Sequence, residues 1–159
     1  MYKIAIISDS HDNLPALNQA VSIMRSLNVK QILHLGDFIA PFALAPLIES
    51  GMPWYGVLGN NDGERNGLLA KAGGAIFEEI VKRLDINGKS IVMTHRPEDL
   101  PDNLSNADLA LCGHTHRHFI EFKDNVLYVN PGELCGYLTG MRSFVVMDIE
   151  TFSPETIYF

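Results

Sequence analysis

Gln31-Ile32-Leu33-His34-Leu35-Gly36-Asp37 is the stretch whose reading decides the fold. It is an apolar run of strand length that ends in a glycine and then a carboxylate, the pattern of a buried strand bounded by a turn. Glycine at its end lets the backbone pass close to whatever Asp37 binds. A carboxylate carries two oxygens and can hold two cations at once, which makes Asp37 the candidate centre of a metal pair. Standing alone, a Gly-Asp step after a strand reads better as a turn or a helix cap, so the rest of the chain has to decide.

Upstream, residues 3–8 (Lys-Ile-Ala-Ile-Ile-Ser) form a second apolar run, expected of a strand buried on both faces, and Asp9-Ser10-His11-Asp12-Asn13 follows it. Leu14, Leu17, Val21, Met24 and Leu27 recur at three- and four-residue steps and predict an amphipathic helix, capped by Asp12 or Asn13 with Pro15 in its first turn. The strand over 31–35 comes next, then a helix over 41–49 that stops near Gly51. A strand over 54–58 leads into Gly59-Asn60-Asn61-Asp62-Gly63. This alternation predicts parallel pairing. Ligand sites in such sheets gather outside the carboxyl ends of the strands, where Asp9, Asp37 and Asn60 stand.

The second half changes character. A short helix is expected over 64–71 and a break at Gly73-Gly74. Strands over 80–86 and 90–94 flank Asn87-Gly88, the strongest hairpin signal in the chain. His95 follows the second arm. A strand over 108–112 ends in Gly113-His114-Thr115-His116, a second hairpin joins 119–122 to 126–129, and 143–149 and 156–159 read as closing strands. With no repeat, low-complexity tract or linker, the reading is one domain over residues 1–159. Helix-linked strands followed by a meander predict an α/β fold of two stacked sheets with helices outside them.

The chain has 159 residues, 47% hydrophobic and 19% charged, which is ordinary for a globular domain with a substantial core. Its net charge of -7 argues against nucleic acid gripped by a broad basic surface, yet leaves phosphorylated small molecules open, because bound cations reverse the local field. Two cysteines, Cys112 and Cys135, make neither a disulfide framework nor a thiolate zinc site and read as buried thiols. With no signal-peptide anatomy and no apolar run of transmembrane length, the expected setting is cytoplasmic, away from membranes.

Asp9, His11, Asp37, Asn60, His95, His114 and His116 all close strands, and seven such residues at five strand ends point to metal. Asp9/His11 and His114/His116 are two-residue steps, which in an extended segment place both side chains on one side, so that each pair grips one ion. Imidazole and carboxylate without thiolate suit two divalent ions: manganese first, with nickel, iron, cobalt or zinc as alternatives.

Asp9-x-His11, Gly36-Asp37, Gly59-Asn60-x-Asp62, His95 and Gly113-His114-x-His116 stand in an order that resembles the calcineurin-like metallophosphoesterases, over nearly the whole chain. The Gly-Asn-Asn-Asp-Gly-Glu-Arg run at 59–65 and Asn130-Pro131-Gly132-Glu133 look most like the compact prokaryotic phosphodiesterases of that family. The resemblance implies a four-layer α-β-β-α sandwich with a dinuclear centre between the sheets. By position, Asp9, His11, Asp37 and His116 would hold one metal, and Asp37, Asn60, His95 and His114 the other, with Asp37 bridging. Two cations about 3.5–4 Å apart activate a bridging hydroxide for in-line attack on a phosphodiester and clamp the attacking and leaving oxygens. Asp37, Asn60, Asn61 and His95 are then the catalytic group.

Two positions depart from the family. Many members have histidine where Asn61 stands, and an amide donates a hydrogen bond but delivers no proton near neutral pH, which predicts weak action on alkyl phosphomonoesters. Arg96 stands where relatives often have glycine; Arg96-Pro97 either stiffens the loop or places a guanidinium over the substrate phosphate, and the alternative is an arginine pointing outward. His34 reads as a core or supporting residue, His118 as the start of a strand or a cleft residue, Asp62 as a loop organiser, Arg65 as solvated ahead of a contact to substrate phosphate, and Asn130-Pro131-Gly132 as the floor of the site. The rival reading is a non-catalytic scaffold of the same fold, resembling the retromer subunit. Residues 134–141 hint at a homo-oligomer surface, which core packing explains equally well.

Overall fold

In the computed structural model, which describes residues 1–159, the expected alternation builds a parallel core. β1 (Lys3–Ile7) pairs in parallel with β2 (Gln31–His34), and β2 with β3 (Trp54–Val57). α1 (Leu14–Ser26) joins the first two strands; Asn13 caps it, its Oδ1 accepting from the Ala16 N–H at 3.1 Å. α2 (Ala45–Glu49) and α3 (Arg65–Ala72) follow β2 and β3. The predicted helix over 41–49 divides into a 3-10 turn, Pro41–Leu44, and α2, because Pro46 has no N–H to donate and fits only a first turn.

A fourth parallel strand, β4 (Ile76–Phe77), was not expected: two residues carry no readable period. The second sheet contains β5 (Val81–Ile86), β6 (Lys89–Thr94), β7 (Leu109–Leu111), β8 (Phe119–Lys123) and β9 (Val126–Asn130), in the order β5-β6-β7-β9-β8. It is not the meander that the hairpins suggested, since β6, β7 and β9 run parallel and only the edge strands turn back. β10 (Ser143–Asp148) and β11 (Ser153–Tyr158) return to the first sheet, completing the order β11-β10-β1-β2-β3-β4. β11 begins earlier than expected because Pro154 is tolerated on an edge strand, which needs donors on one side only.

The two sheets stack through one apolar layer. Ile4 and Ile6 of β1, with Leu33 and Leu35, meet Ile91, Met93, Leu109 and Leu111 between the sheets. The alternate residues Ala5, Ile7 and Ile32 face the other way, against Leu17 and Met24 of α1, Leu47 of α2 and Leu68 of α3. That double burial is why the first two strands read as unbroken apolar runs. Beyond the second sheet, Val92, Ala110 and Val126 are covered by Leu104 and Ala107. This fourth layer is thin, with one 3-10 turn, Pro97–Asp99. No helix is long and apolar enough to cross a membrane.

Phe38, 1% exposed and next to Asp37, stacks on the His34 ring at 3.8 Å and lies 6.2 Å from Trp54. Phe38→Ala is expected to cost about 3–5 kcal/mol. It should appear as a lower urea midpoint at unchanged m value.

Candidate metal centre

Six strand ends meet because their loops are laced together by backbone hydrogen bonds. Asp9, His11 and Asp12 donate to the carbonyls of Gly36, Asp37 and Phe38, zipping the loop after β1 to the loop after β2. Leu134 and Cys135 donate to Ser8 and Asp9, and Gly113 donates to His95, which draws in the loops after β9, β7 and β6. Asp62 ties the loop after β3 to the loop after β2, accepting from the N–H groups of Asp37 (3.0 Å), Ile39 (2.7 Å) and Gly59 (2.7 Å). Asn130 holds the loop after β7, donating to Gly113 O at 2.8 Å and Thr115 Oγ1 at 3.0 Å. Asp62 thus organises the loops around it, as its position suggested, whereas Asn130 acts as a tie between loops.

Gly36 shows how closely the loops approach. A Cβ there would stand 2.8 Å from both the Gly59 nitrogen and His95 Nδ1, and its φ of 98° lies in the left-handed region.

The side chains converge in two groups whose ligand atoms lie within 4.8 Å of one another: Asp9, His11 and His116, and Asp9, Asp37 and His95. Asn60 joins the second, with Oδ1 2.9 Å from His95 Nε2. His114 places its ring 5.1 Å from that of His95 and its backbone N–H 3.1 Å from Asp9 Oδ2. The local geometry differs from the expected extended steps. Asp9, His11, His114 and His116 all have positive φ, at 53°, 42°, 65° and 59°. Asp9 and His11 still share one group, but His114 and His116 part, toward His95 and Asp9 respectively.

The far nitrogens turn toward neighbouring oxygens. His95 Nδ1 donates to Leu35 O at 2.7 Å, which leaves Nε2 facing the Asn60 oxygen at 2.9 Å. His116 Nδ1 donates to Glu133 at 2.6 Å, which leaves its Nε2 facing Asp9 Oδ1 at 3.4 Å. His11 Nε2 lies 3.4 Å from Asp37 Oδ2, and both it and Asp9 Oδ1 are buried without a hydrogen-bond partner. Acceptors brought this close need a shared cation, a proton or a metal, and the donor set fits divalent metal.

Burial acts to raise the Asp9 carboxyl, but the His11 and Ser8 side chains beside it, with the positive charge of His95 and His116 when those rings are protonated, outweigh burial and hold the group below its ordinary 3.8. The Asp9 carboxylate in turn raises His11 above 6.5 against the effect of burial, with help from Asp37. His34 is separate. Its Nδ1 accepts from the Gly36 N–H, its Nε2 faces Ser10 Oγ at 2.9 Å, and burial lowers it to about 3, so it is a neutral supporting residue. His118, half-buried just before β8, pairs with Thr156 Oγ1 at 2.7 Å. Burial pushes the Cys112 and Cys135 thiols up to about 12, leaving them inert.

Two further roles come from the geometry. Asn61 donates twice to Asp37, from its backbone N–H at 2.9 Å and its Nδ2 at 2.7 Å, so it clamps the central carboxylate. Glu133, wholly buried, was not singled out in the sequence. Burial would raise it, but His116, Thr139 and Leu138 donate to it and bring it down to about 2. A carboxylate in the apolar, cationless run Gly132-Glu133-Leu134-Cys135 was the available signal. Beside Asn60 and His95 opens a cavity of about 270 Å³, which Thr94, Arg65 and Arg96 also line.

Imidazole and carboxylate groups gathered at the carboxyl ends of parallel strands, in a stacked pair of mixed sheets, make a candidate metal site on an α/β sandwich. The chain belongs to the calcineurin-like phosphoesterase superfamily, whose domain model matches residues 2–152. It is 34% identical over 155 residues to phosphodiesterase MJ0936 of Methanocaldococcus jannaschii, covering 93% of each chain. The solved structure of an archaeal phosphodiesterase superposes with a TM-score of 0.91 at 31% identity, over 99% of both chains. Vps29 of Chaetomium thermophilum shares the fold, with a TM-score of 0.69 at 16% identity over 99% of this chain and 94% of that one.

NMR titration of the metal-free protein should show His11 charging above pH 6.5, while His34 stays neutral down to about 3. Because the folded value of His11 is raised, its stabilisation is complete below pH 6.5 and is lost as pH rises through that value.

Proposed function

We propose that the chain is a metal-dependent phosphodiesterase, working as one domain over residues 1–159 on a small phosphodiester in the cytoplasm. The observation that carries this reading is the convergence of imidazole nitrogens and carboxylate oxygens at one buried point, where Asp9 Oδ1 and His11 Nε2 have no hydrogen-bond partner. One divalent ion would be held by Asp9, His11, Asp37 and His116, the other by Asp37, Asn60, His95 and His114, with manganese the first choice. Such a pair activates water and neutralises phosphate charge.

The residues do the rest. The Leu35 carbonyl and Glu133 fix the ring orientation of His95 and His116 by accepting a hydrogen bond from Nδ1 of each ring. Asn61 holds Asp37 with two hydrogen bonds and offers no transferable proton, so an alkoxide leaving group goes unassisted. Diesters with good leaving groups are therefore the favoured substrates and alkyl phosphomonoesters poor ones. The likeness to Vps29 supports a second reading, a non-catalytic scaffold. Favouring the enzyme, every ligand position holds a residue able to ligate.

With manganese added, bis(p-nitrophenyl) phosphate should turn over at least roughly 10²-fold faster than an alkyl phosphomonoester, and a chelator should abolish the activity. Equal rates on both would refute the role given to Asn61. Stoichiometric metal without diester turnover would support the scaffold. Glu133→Gln should weaken manganese binding about 10–100-fold by calorimetry. An unchanged affinity would show that Glu133 does not position His116.

A further inference from the structure

The cavity beside Asn60 and His95 holds more polar chemistry than an attack on phosphorus uses. Arg65 opens α3, after the third metal loop, and Arg96 follows His95, yet the fold brings both to the wall of this one cavity. Arg65 makes no ion pair and no side-chain hydrogen bond, and the nearest carboxylate to Arg96 is Glu98, at 4.0 Å. Arg65 is therefore unpaired, and Arg96 is held only by this long, exposed contact with Glu98. Thr94, on the same wall, is fully buried, and its hydroxyl has no hydrogen-bond partner. Of the carboxylates lining the cavity, Glu79 is held by Lys82 at 3.0 Å, which leaves Glu78 and Asp99 free to accept from hydroxyl or amino groups.

Because the cavity adjoins Asn60 and His95, it can receive one ester arm of a diester whose phosphorus sits on the metal centre. We propose that this cavity is the subsite for that arm, and that Arg65 and Arg96 select an arm carrying its own phosphomonoester, such as a phosphorylated nucleoside or sugar. The proposal rests on the phosphodiesterase reading. Guanidinium groups bind phosphate oxygens through paired, charge-assisted hydrogen bonds, which makes them better suited to this task than lysine. The free carboxylates suit the hydroxyls of the sugar between the two phosphates. An apolar arm would leave two arginines, two carboxylates and a buried hydroxyl without partners.

Thymidine 3′,5′-bisphosphate and thymidine 5′-monophosphate differ by one phosphate and report on binding without turnover. The manganese-loaded protein should bind the bisphosphate roughly tenfold or more tightly than the monophosphate in calorimetry. The R65Q/R96Q double variant, altered at two exposed positions, should bind the two within about twofold of each other. In parallel, thymidine 5′-(p-nitrophenyl phosphate) with and without a 3′-phosphate gives the same comparison in kcat/KM, the difference lying in KM. A wild-type preference under about fivefold, or one that survives in the double variant, overturns the subsite. If the bisphosphate preference depends on the arginines but neither ester is hydrolysed, the phosphodiesterase reading falls and the subsite stands. If both esters are hydrolysed equally and the bisphosphate binds no better, the subsite falls and the phosphodiesterase reading stands.

Discussion

Two carboxylates, Asp9 and Asp37, are buried side by side at 0% and 1% exposure, with no lysine or arginine to pair them. Burying a charge without compensation costs several kcal/mol or more, and two like charges raise that further. The fold meets the cost with what it has at hand. Asp37 takes two hydrogen bonds from Asn61, Asp9 takes the His114 N–H, and the imidazoles of His11, His95 and His116 stand around them. The remaining lone pairs call for a cation.

That demand explains the loop geometry. Side chains from six strand ends reach one point only if the backbone turns sharply after each strand. Asp9, His11, Asp37, His114 and His116 accordingly sit in the left-handed region, which costs non-glycine residues on the order of 1 kcal/mol or more each. The cross-loop hydrogen bonds over-determine these conformations, so the strain is held in place by the same contacts that bring the ligands together. Asp62 shows the trade-off: burial pushes its carboxyl up, yet it remains the acceptor that fixes three backbone N–H groups.

The parallel core was legible because burial on both faces writes a continuous apolar run, as in Lys3–Ile7 and Gln31–His34. Strands too short to show a period, such as Ile76–Phe77, or broken by Pro154 on an edge, carried no such signal. Of the site, the residue types and their strand-end positions could be read from the sequence, but the directions of their side chains could not. A two-residue spacing says nothing of positive φ, and only the structure shows His114 and His116 turning to different partners. Glu133 was hidden for a related reason, because its role depends on a loop that folds back from residues 138 and 139 to bond it.

The chain is acidic, yet it must receive an anion. Cations held by the proposed ligands would solve this locally by reversing the field where a phosphoryl group binds, while the rest of the surface keeps its negative charge. In this setting the amide of Asn61 has a consequence an imidazole would not. It holds both oxygens of the central carboxylate through one residue's backbone and side chain. In the proposed mechanism the same amide would give up the proton donor that an alkoxide leaving group requires, so that stability of the carboxylate pair and reach toward poor leaving groups would compete at a single position.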